Sequence, residues 1–338
     1  MNRPGYSILA LFAAIVALSS CGVSEELDTK ALNKNYFDSW MQVHYPGAEP
    51  TALGSYVIEE DEGKGALVGD ATNSPYIYGR YTLRDLEGTI DDFTDAETAK
   101  QLGLYDSTCY YGPAVWAHKD SAMSAGVDEA ISSMRVGGRK KIIIPGWLNT
   151  NERFSTAEEY ISNATGESSI YEIHIVDIIK DIVAWEVDSV KNYVNRHFPG
   201  TDSTRFGYYY KRLADATDTT SFETGEEVYF NYTGRLLNGQ VFDTTIKDTA
   251  KRYGIYNPAT TYEPAYMTWG EKYTDLKMGS SSSAVIDGFG YTVFNMKKGE
   301  KGTAVFYSGL GYSTTGGGAR IPGYSPLIFE IEMIGKDE

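Results

Sequence analysis

Val228-Tyr229-Phe230-Asn231-Tyr232-Thr233-Gly234-Arg235-Leu236-Leu237-Asn238-Gly239-Gln240-Val241-Phe242-Asp243 is the stretch that decides how this chain folds. Its β-branched and aromatic residues predict a strand. Asn238-Gly239 then predicts a tight hairpin turn, because both residue types tolerate positive φ. A second strand ends on Phe242-Asp243. Three later segments belong with it: Val285-Ile286-Asp287-Gly288-Phe289, then Met296-Lys297-Lys298-Gly299, then Ile321-Pro322 leading to Leu327-Ile328-Phe329-Glu330.

In that order and spacing the four segments resemble an FKBP-type peptidyl-prolyl isomerase domain, over residues 201–338. Any one segment is unspecific; the order carries the likeness. The resemblance implies an α+β fold in which a twisted antiparallel sheet wraps over a short helix. It also implies a pocket of Tyr232, Phe242, Asp243, Val285, Ile286, Phe289, Tyr312, Ile321 and Phe329. Phe289 would be the floor under a proline ring, with Phe242, Tyr232 and Phe329 as walls. Ile286 would offer a backbone N–H and Tyr312 a hydroxyl to substrate carbonyls. Asp243 would orient or polarise the amide from the rim. Taken singly, aromatic and β-branched strand residues are more often core than site, and an Asp at a strand end is commonly a turn residue.

The implied chemistry needs neither nucleophile nor metal. Rotation about an X–Pro bond crosses roughly 18–20 kcal/mol because amide resonance is lost. A catalyst must hold the ring in a dry cup and bind the twisted amide better than the planar one. No cofactor is expected. Two departures stand out: Phe289 occupies the position where the family usually has Trp, and Arg320 stands where an apolar residue usually precedes Ile321-Pro322. Residues 246–277 read as a long insertion after Phe242-Asp243, rich in Tyr and Trp. It is either a lid packed on its own domain or a wall of the peptide site.

The chain also repeats itself. His44-Tyr45-Pro46-Gly47 returns as His197-Phe198-Pro199-Gly200, and Gly54-Ser55-Tyr56 as Gly207-Tyr208-Tyr209. Tyr81 then matches Tyr232, Gly88 matches Gly239, and Met134-Arg135-Val136-Gly137 matches Met296-Lys297-Lys298-Gly299. Tyr171-Glu172-Ile173 matches Phe329-Glu330-Ile331. A helix should precede each repeat, with apolar stripes Leu32, Tyr36, Trp40, Val43 and Val183, Val187, Val190, Val194. Short helices are expected over 127–134 and 289–296. The first repeat looks degenerate: Asp91 replaces Phe242, Met123-Ser124 replace Val285-Ile286, and Val127 replaces Phe289. Tyr81, Asp92 and Tyr171 survive. No isomerase activity is expected of it.

Residues 1–20 combine a basic start with an apolar run from Ile8 to Leu18, too short to span a bilayer, and read as an export signal. Leu18-Ser19-Ser20-Cys21 resembles a bacterial lipobox, so Cys21 is expected to carry lipid and tether the protein to the cell envelope. An ordinary signal with an incidental cysteine is the alternative. Cys109, the remaining cysteine, is expected to be a buried small apolar residue. A net charge of −16 argues against nucleic acid as a partner. The four histidines lack metal-ligand spacing, and Asp85 to Asp92 does not follow the calcium-loop order.

The organisation expected is therefore a signal peptide (1–20), a linker and helix (21–47), a degenerate FKBP-like domain (48–181), a connecting helix (182–200) and an FKBP-type isomerase domain (201–338). Its expected role is prolyl isomerisation or chaperoning of proline-containing exported polypeptides. The alternative is a peptide-binding scaffold without turnover, its cup filled by Arg320 or by rings from 246–277.

Overall fold

The computed structural model describes residues 29–280 and 283–335, so the signal segment and Cys21 lie outside the described residues. The first half runs α1 (Thr29–His44), β1 (Tyr56–Asp61), β2 (Tyr76–Arg84), β3 (Ile90–Phe93), α2 (Ala96–Gln101), β4 (Ala114–Ala117), α3 (Ala125–Ser132), β5 (Arg139–Ile144), α4 (Ala157–Asn163) and β6 (Ser169–Ile179). Its antiparallel sheet has the order β1-β5-β6-β2, and the outer edge of β2 is shared between β3 and β4. The second half runs α5 (Ile182–His197), β7 (Ser203–Arg205), β8 (Tyr208–Ala214), β9 (Glu227–Leu236), β10 (Val241–Thr244), α6 (Lys247–Arg252), β11 (Ala265–Thr268), β12 (Lys277–Met278), β13 (Ser283–Ala284), α7 (Asp287–Asn295), β14 (Lys301–Phe306) and β15 (Leu327–Ile334). Its order β8-β14-β15-β9, with β10 and β11 sharing the outer edge of β9, repeats the first sheet strand for strand. Each sheet buries its own apolar cluster, against α3 in one half and α7 in the other.

The turn chemistry explains the matching hairpins. Gly88 and Gly239 sit at φ of +91° and +89°, the left-handed region that L side chains avoid. Asn238 reinforces its turn by accepting the Gln240 N–H at 2.9 Å.

The leading helices are present, and part of each expected stripe packs: Trp40 on α1, and Val190 and Val194 on α5. On α1, Leu32, Tyr36 and Val43 are exposed, Val43 to 74%, and the buried residues are Phe37 and Met41. On α5 the packed row is Ile182, Glu186, Val190 and Val194, four residues apart as one helix face requires. A carboxylate inside that row disguises it. Glu186 accepts the Ser308 N–H at 2.7 Å and the Ser308 hydroxyl at 2.8 Å. Val190 and Val194 pack with Val305 and Ile328, so α5 belongs to the second sheet as much as it connects the two.

The segment after Phe242-Asp243 is not an insertion peculiar to the second half. Helices α2 and α6 begin 151 residues apart (96 and 247), and so do β4 and β11 (114 and 265). Both excursions carry the same knot: Tyr111 stacks on Tyr105 at 5.4 Å and its hydroxyl accepts the Asp106 N–H at 3.1 Å, as Tyr262 stacks on Tyr256 at 5.5 Å and accepts the Asn257 N–H at 2.9 Å. The true addition lies later. Ser124 and Ile286, the caps of α3 and α7, stand 162 apart, so eleven further residues (162 less 151) separate β11 from α7. They hold β12 and β13.

The halves meet through rings and loops. Tyr76 packs on Tyr324 and Tyr78 on Trp185, with centroids 5.6 and 5.5 Å apart. Tyr110 donates its N–H to the Ala319 carbonyl at 2.7 Å, and its side chain packs against the second core. Cys109 is not the buried residue expected; it is half-buried at this border, where its carbonyl accepts from Gln240 at 2.9 Å. Among the described residues, no helix is long and apolar enough to cross a membrane.

Candidate functional site

The second sheet delivers the proposed cup from four elements. Strand β9 supplies Tyr232 and β15 supplies Phe329, directly opposite Gly234 in the ladder. The register of β10 slips between Val241 and Asp243. That bulge leaves Val241 and Phe242 both buried, although successive strand residues normally point to opposite faces, and puts Asp243 outside. Helix α7 opens at its cap Ile286 and buries Phe289 in its first turn. Two glycines make the approach possible. A Cβ on Gly234 would stand 2.5 Å from the Phe242 ring, and one on Gly288 2.6 Å from Phe306.

The rings meet edge to face, the arrangement aromatic quadrupoles favour. Phe289 lies 4.9 Å from Phe329 and 5.5 Å from Tyr232, both at 77°, and Phe242 lies 5.6 Å from Phe329 at 79°. Phe242, Phe289, Phe329 and Ile321 are 3–5% exposed. Val285 and Ile286 pack against them, half-buried. The result is a stiff apolar floor with polar groups confined to one side.

That side is built around Asp243. The Tyr232 hydroxyl donates to its Oδ2 at 2.5 Å, and the Thr244 N–H to its Oδ1 at 2.9 Å. Burial, then the Asp243 charge, push the Tyr232 phenol well above its ordinary range. Tyr312 is 37% exposed, and burial followed by the same carboxylate raises it too. Both phenols therefore stay protonated donors at neutral pH. Neither the Tyr312 hydroxyl nor the Ile286 N–H takes a hydrogen-bond partner among the described residues. All nine residues assigned to the pocket from sequence thus stand on elements that converge here.

Arg320 does not enter the cup. Its guanidinium donates to the Phe242 carbonyl at 3.2 Å and is otherwise exposed. The rings of 246–277 are also engaged elsewhere. Tyr253 lies against Arg235, Tyr266 on Tyr229, Tyr273 on Tyr291, and Trp269 stacks on Phe294 at 5.0 Å.

The first sheet places Tyr81, Asp92 and Tyr171 where the second has Tyr232, Asp243 and Phe329, and Tyr81 again donates to the carboxylate. Asp91 and Val127 take the Phe242 and Phe289 positions. Three further replacements complete the change. Leu83, opposite Asp92, occupies the place of Gly234. Trp116 on β4 takes the place of Met267, and Gly79 the place of Phe230. A Cβ on Gly79 would lie 3.1 Å from the Trp116 ring, so the indole fills the room that the missing ring leaves. It meets Tyr81 edge to face at 5.4 Å.

Comparison with known proteins agrees with this geometry. The profile of the family described as FKBP-type peptidyl-prolyl cis-trans isomerase matches residues 218–334. The chain is 32% identical to "FK506-binding protein 2" of Dictyostelium discoideum over 117 residues, which is 35% of this chain and 70% of that protein. It is 28% identical over 128 residues to the "Macrophage infectivity potentiator" of Trypanosoma cruzi, 38% of this chain and 52% of that one. It is 23% identical over 210 residues to "Peptidyl-prolyl cis-trans isomerase FKBP9" of Bos taurus, 62% of this chain and 28% of that one. The chain belongs to the FKBP-type peptidyl-prolyl cis-trans isomerase family, with two FKBP-like folds in tandem.

Proposed function

We propose that the second cup catalyses cis–trans rotation about X–Pro bonds in polypeptides, and that the first does not. The observation that carries this reading is the ring set of Phe242, Phe289 and Phe329 beside the Tyr232–Asp243 pair. A proline ring held on Phe289 is desolvated, which weakens amide resonance because the charge-separated form loses its water. The Tyr312 hydroxyl and the Ile286 N–H are donors free to hold the carbonyls flanking the bond. Holding them fixed while the prolyl C–N bond turns favours the twisted amide over the planar one. Asp243 keeps Tyr232 in place and sets a negative field at the rim. The open position of Arg320 and the engaged rings of 246–277 speak for turnover and against the filled cup of a scaffold.

The clients in this proposal are exported, proline-containing chains, and the site of action is a bacterial cell envelope, with Cys21 as lipid anchor. That part rests on residues 1–21 of the sequence. Labelling cells with a radioactive fatty acid tests it: label absent from the wild type, or retained in Cys21→Ala, refutes the anchor.

Proline-limited refolding of a substrate protein by the full chain tests the activity. We expect acceleration that falls at least tenfold in both Phe242→Ala and Asp243→Ala, about 1.4 kcal/mol of lost transition-state stabilisation. A folded wild type that does not accelerate refolding would overturn the reading. Turnover untouched by either variant would move it out of the second cup.

A further inference from the structure

In the first domain Tyr81, Leu83, Trp116, Val127 and Tyr171 line an open cleft of about 580 Å³, with Asp92 at its edge. That size falls within the roughly 300–1,000 Å³ of ordinary ligand pockets. A repeat that had only lost its site would have no reason to keep such a space walled. Here the walls are rebuilt with different residues. The leucine opposite Asp92 and the indole lying over Gly79 replace rings that the second domain supplies from β10, β9 and α7.

We propose that this cavity is a second peptide-binding site, taking the aromatic side chain of an unfolded polypeptide rather than a proline ring. Three features define that occupant. Val127 stands where the other cup has Phe289, so the cavity is deeper by most of a phenyl ring and would leave a void beneath a proline. Trp116, Tyr81 and Tyr171 present rings on several sides, with Tyr81 5.4 Å from Trp116 and 6.3 Å from Tyr171. A guest ring gains edge-to-face contacts with such walls, the geometry aromatic quadrupoles favour. The polar groups suit a peptide backbone: the Tyr171 hydroxyl and the Ser124 N–H have no partner among the described residues, and both can donate to a carbonyl. Asp92, already holding Tyr81, can accept an amide N–H. The inference is independent of turnover in the second cup.

Titration of the full chain by calorimetry with a capped hexapeptide containing one Phe and no Pro, beside the same peptide with Ala, tests it. We expect the Phe peptide to bind at least tenfold tighter. Val127→Phe, which fills the cavity, should abolish that preference while the refolding activity of the full chain is unchanged, and Phe242→Ala should leave the preference intact. Tyr171→Phe removes one hydroxyl without disturbing packing and should weaken binding roughly three- to tenfold, the worth of one neutral hydrogen bond; it decides the matter if Val127→Phe fails to fold. Equal binding of the two peptides would overturn the proposal. So would a preference lost in Phe242→Ala and kept in the first-domain variants. N-acetylphenylalanine amide binding as tightly as the hexapeptide would also overturn it, since the site would then serve a small aromatic molecule.

Discussion

In the second cup the bulged strand β10 and helix α7 supply Phe242 and Phe289, which close on Phe329; in the first, the corresponding bulk comes from Leu83 on β2 and the Trp116 indole on β4, beside an open cavity. Both keep the Tyr–Asp pair, Tyr232–Asp243 and Tyr81–Asp92, at the same register. The frame is thus shared while the inner volume is distributed differently. The difference teaches that the polar edge and the apolar floor of this fold are separable. The edge is fixed by strand pairing, whereas the floor depends on which of several inward positions carries bulk.

The sharpest way to break the comparison is to give the second cup the first one's floor. Phe289→Val removes most of a buried ring, and denaturant unfolding should show a loss of roughly 2–4 kcal/mol. Turnover should fall at least tenfold in the refolding assay, about 1.4 kcal/mol. Full activity in a folded Phe289→Val protein would mean that the ring set does not support catalysis.

Next in size is Gly234→Leu, which copies Leu83. Its side chain collides with Phe242, so unfolding should show a cost of roughly 1–3 kcal/mol. Adding Phe242→Asp, which copies Asp91, should recover part of that stability without restoring turnover. A double variant no more stable than Gly234→Leu would show that the two positions do not exchange volume.

Glu186 sharpens the contrast at the helices, since Asn33 occupies the corresponding place on α1. Burial pushes Glu186 above the usual carboxylate range, opposed by its bonds to Ser308. Its folded pKa is therefore higher than its unfolded one, and the folded state holds the extra proton. Stability from this group is full below the ordinary Glu range and is lost as pH rises through the raised value. Glu186→Gln should remove that slope in melting curves taken across pH; an unchanged slope would assign it to other groups. The smallest effect is expected from Arg320→Ala. Its guanidinium is exposed and reaches only the Phe242 carbonyl, so turnover should change by less than threefold in the same assay.

Much of this was legible in the chain. Asn238-Gly239 placed the hairpin, the His-aromatic-Pro-Gly pairs placed the helix ends, and the order of Phe242, Ile286, Phe289 and Phe329 placed the cup. The alignment of the two halves was missed between 94 and 117 although Thr98-Ala99-Lys100 and Gly103-Leu104-Tyr105 return as Thr249-Ala250-Lys251 and Gly254-Ile255-Tyr256. The rebuilt cavity was not legible by matching position to position. Phe230 gives way to Gly79 and Met267 to Trp116, and each change alone reads as loss; only strand pairing shows that one offsets the other. Val190 and Val194 of the α5 stripe were legible, whereas its first half was misplaced because the packed row accepts a carboxylate that finds two donors.

Tyr110 leaves the first half of the chain yet completes the apolar cluster of the second, while α5 docks there through Glu186. The joint between the copies is thus a graft and not a hinge. A fragment cut at residue 201 would carry an exposed wound on two sides, and a cup swapped in from a relative would arrive without the neighbour's loop that finishes it.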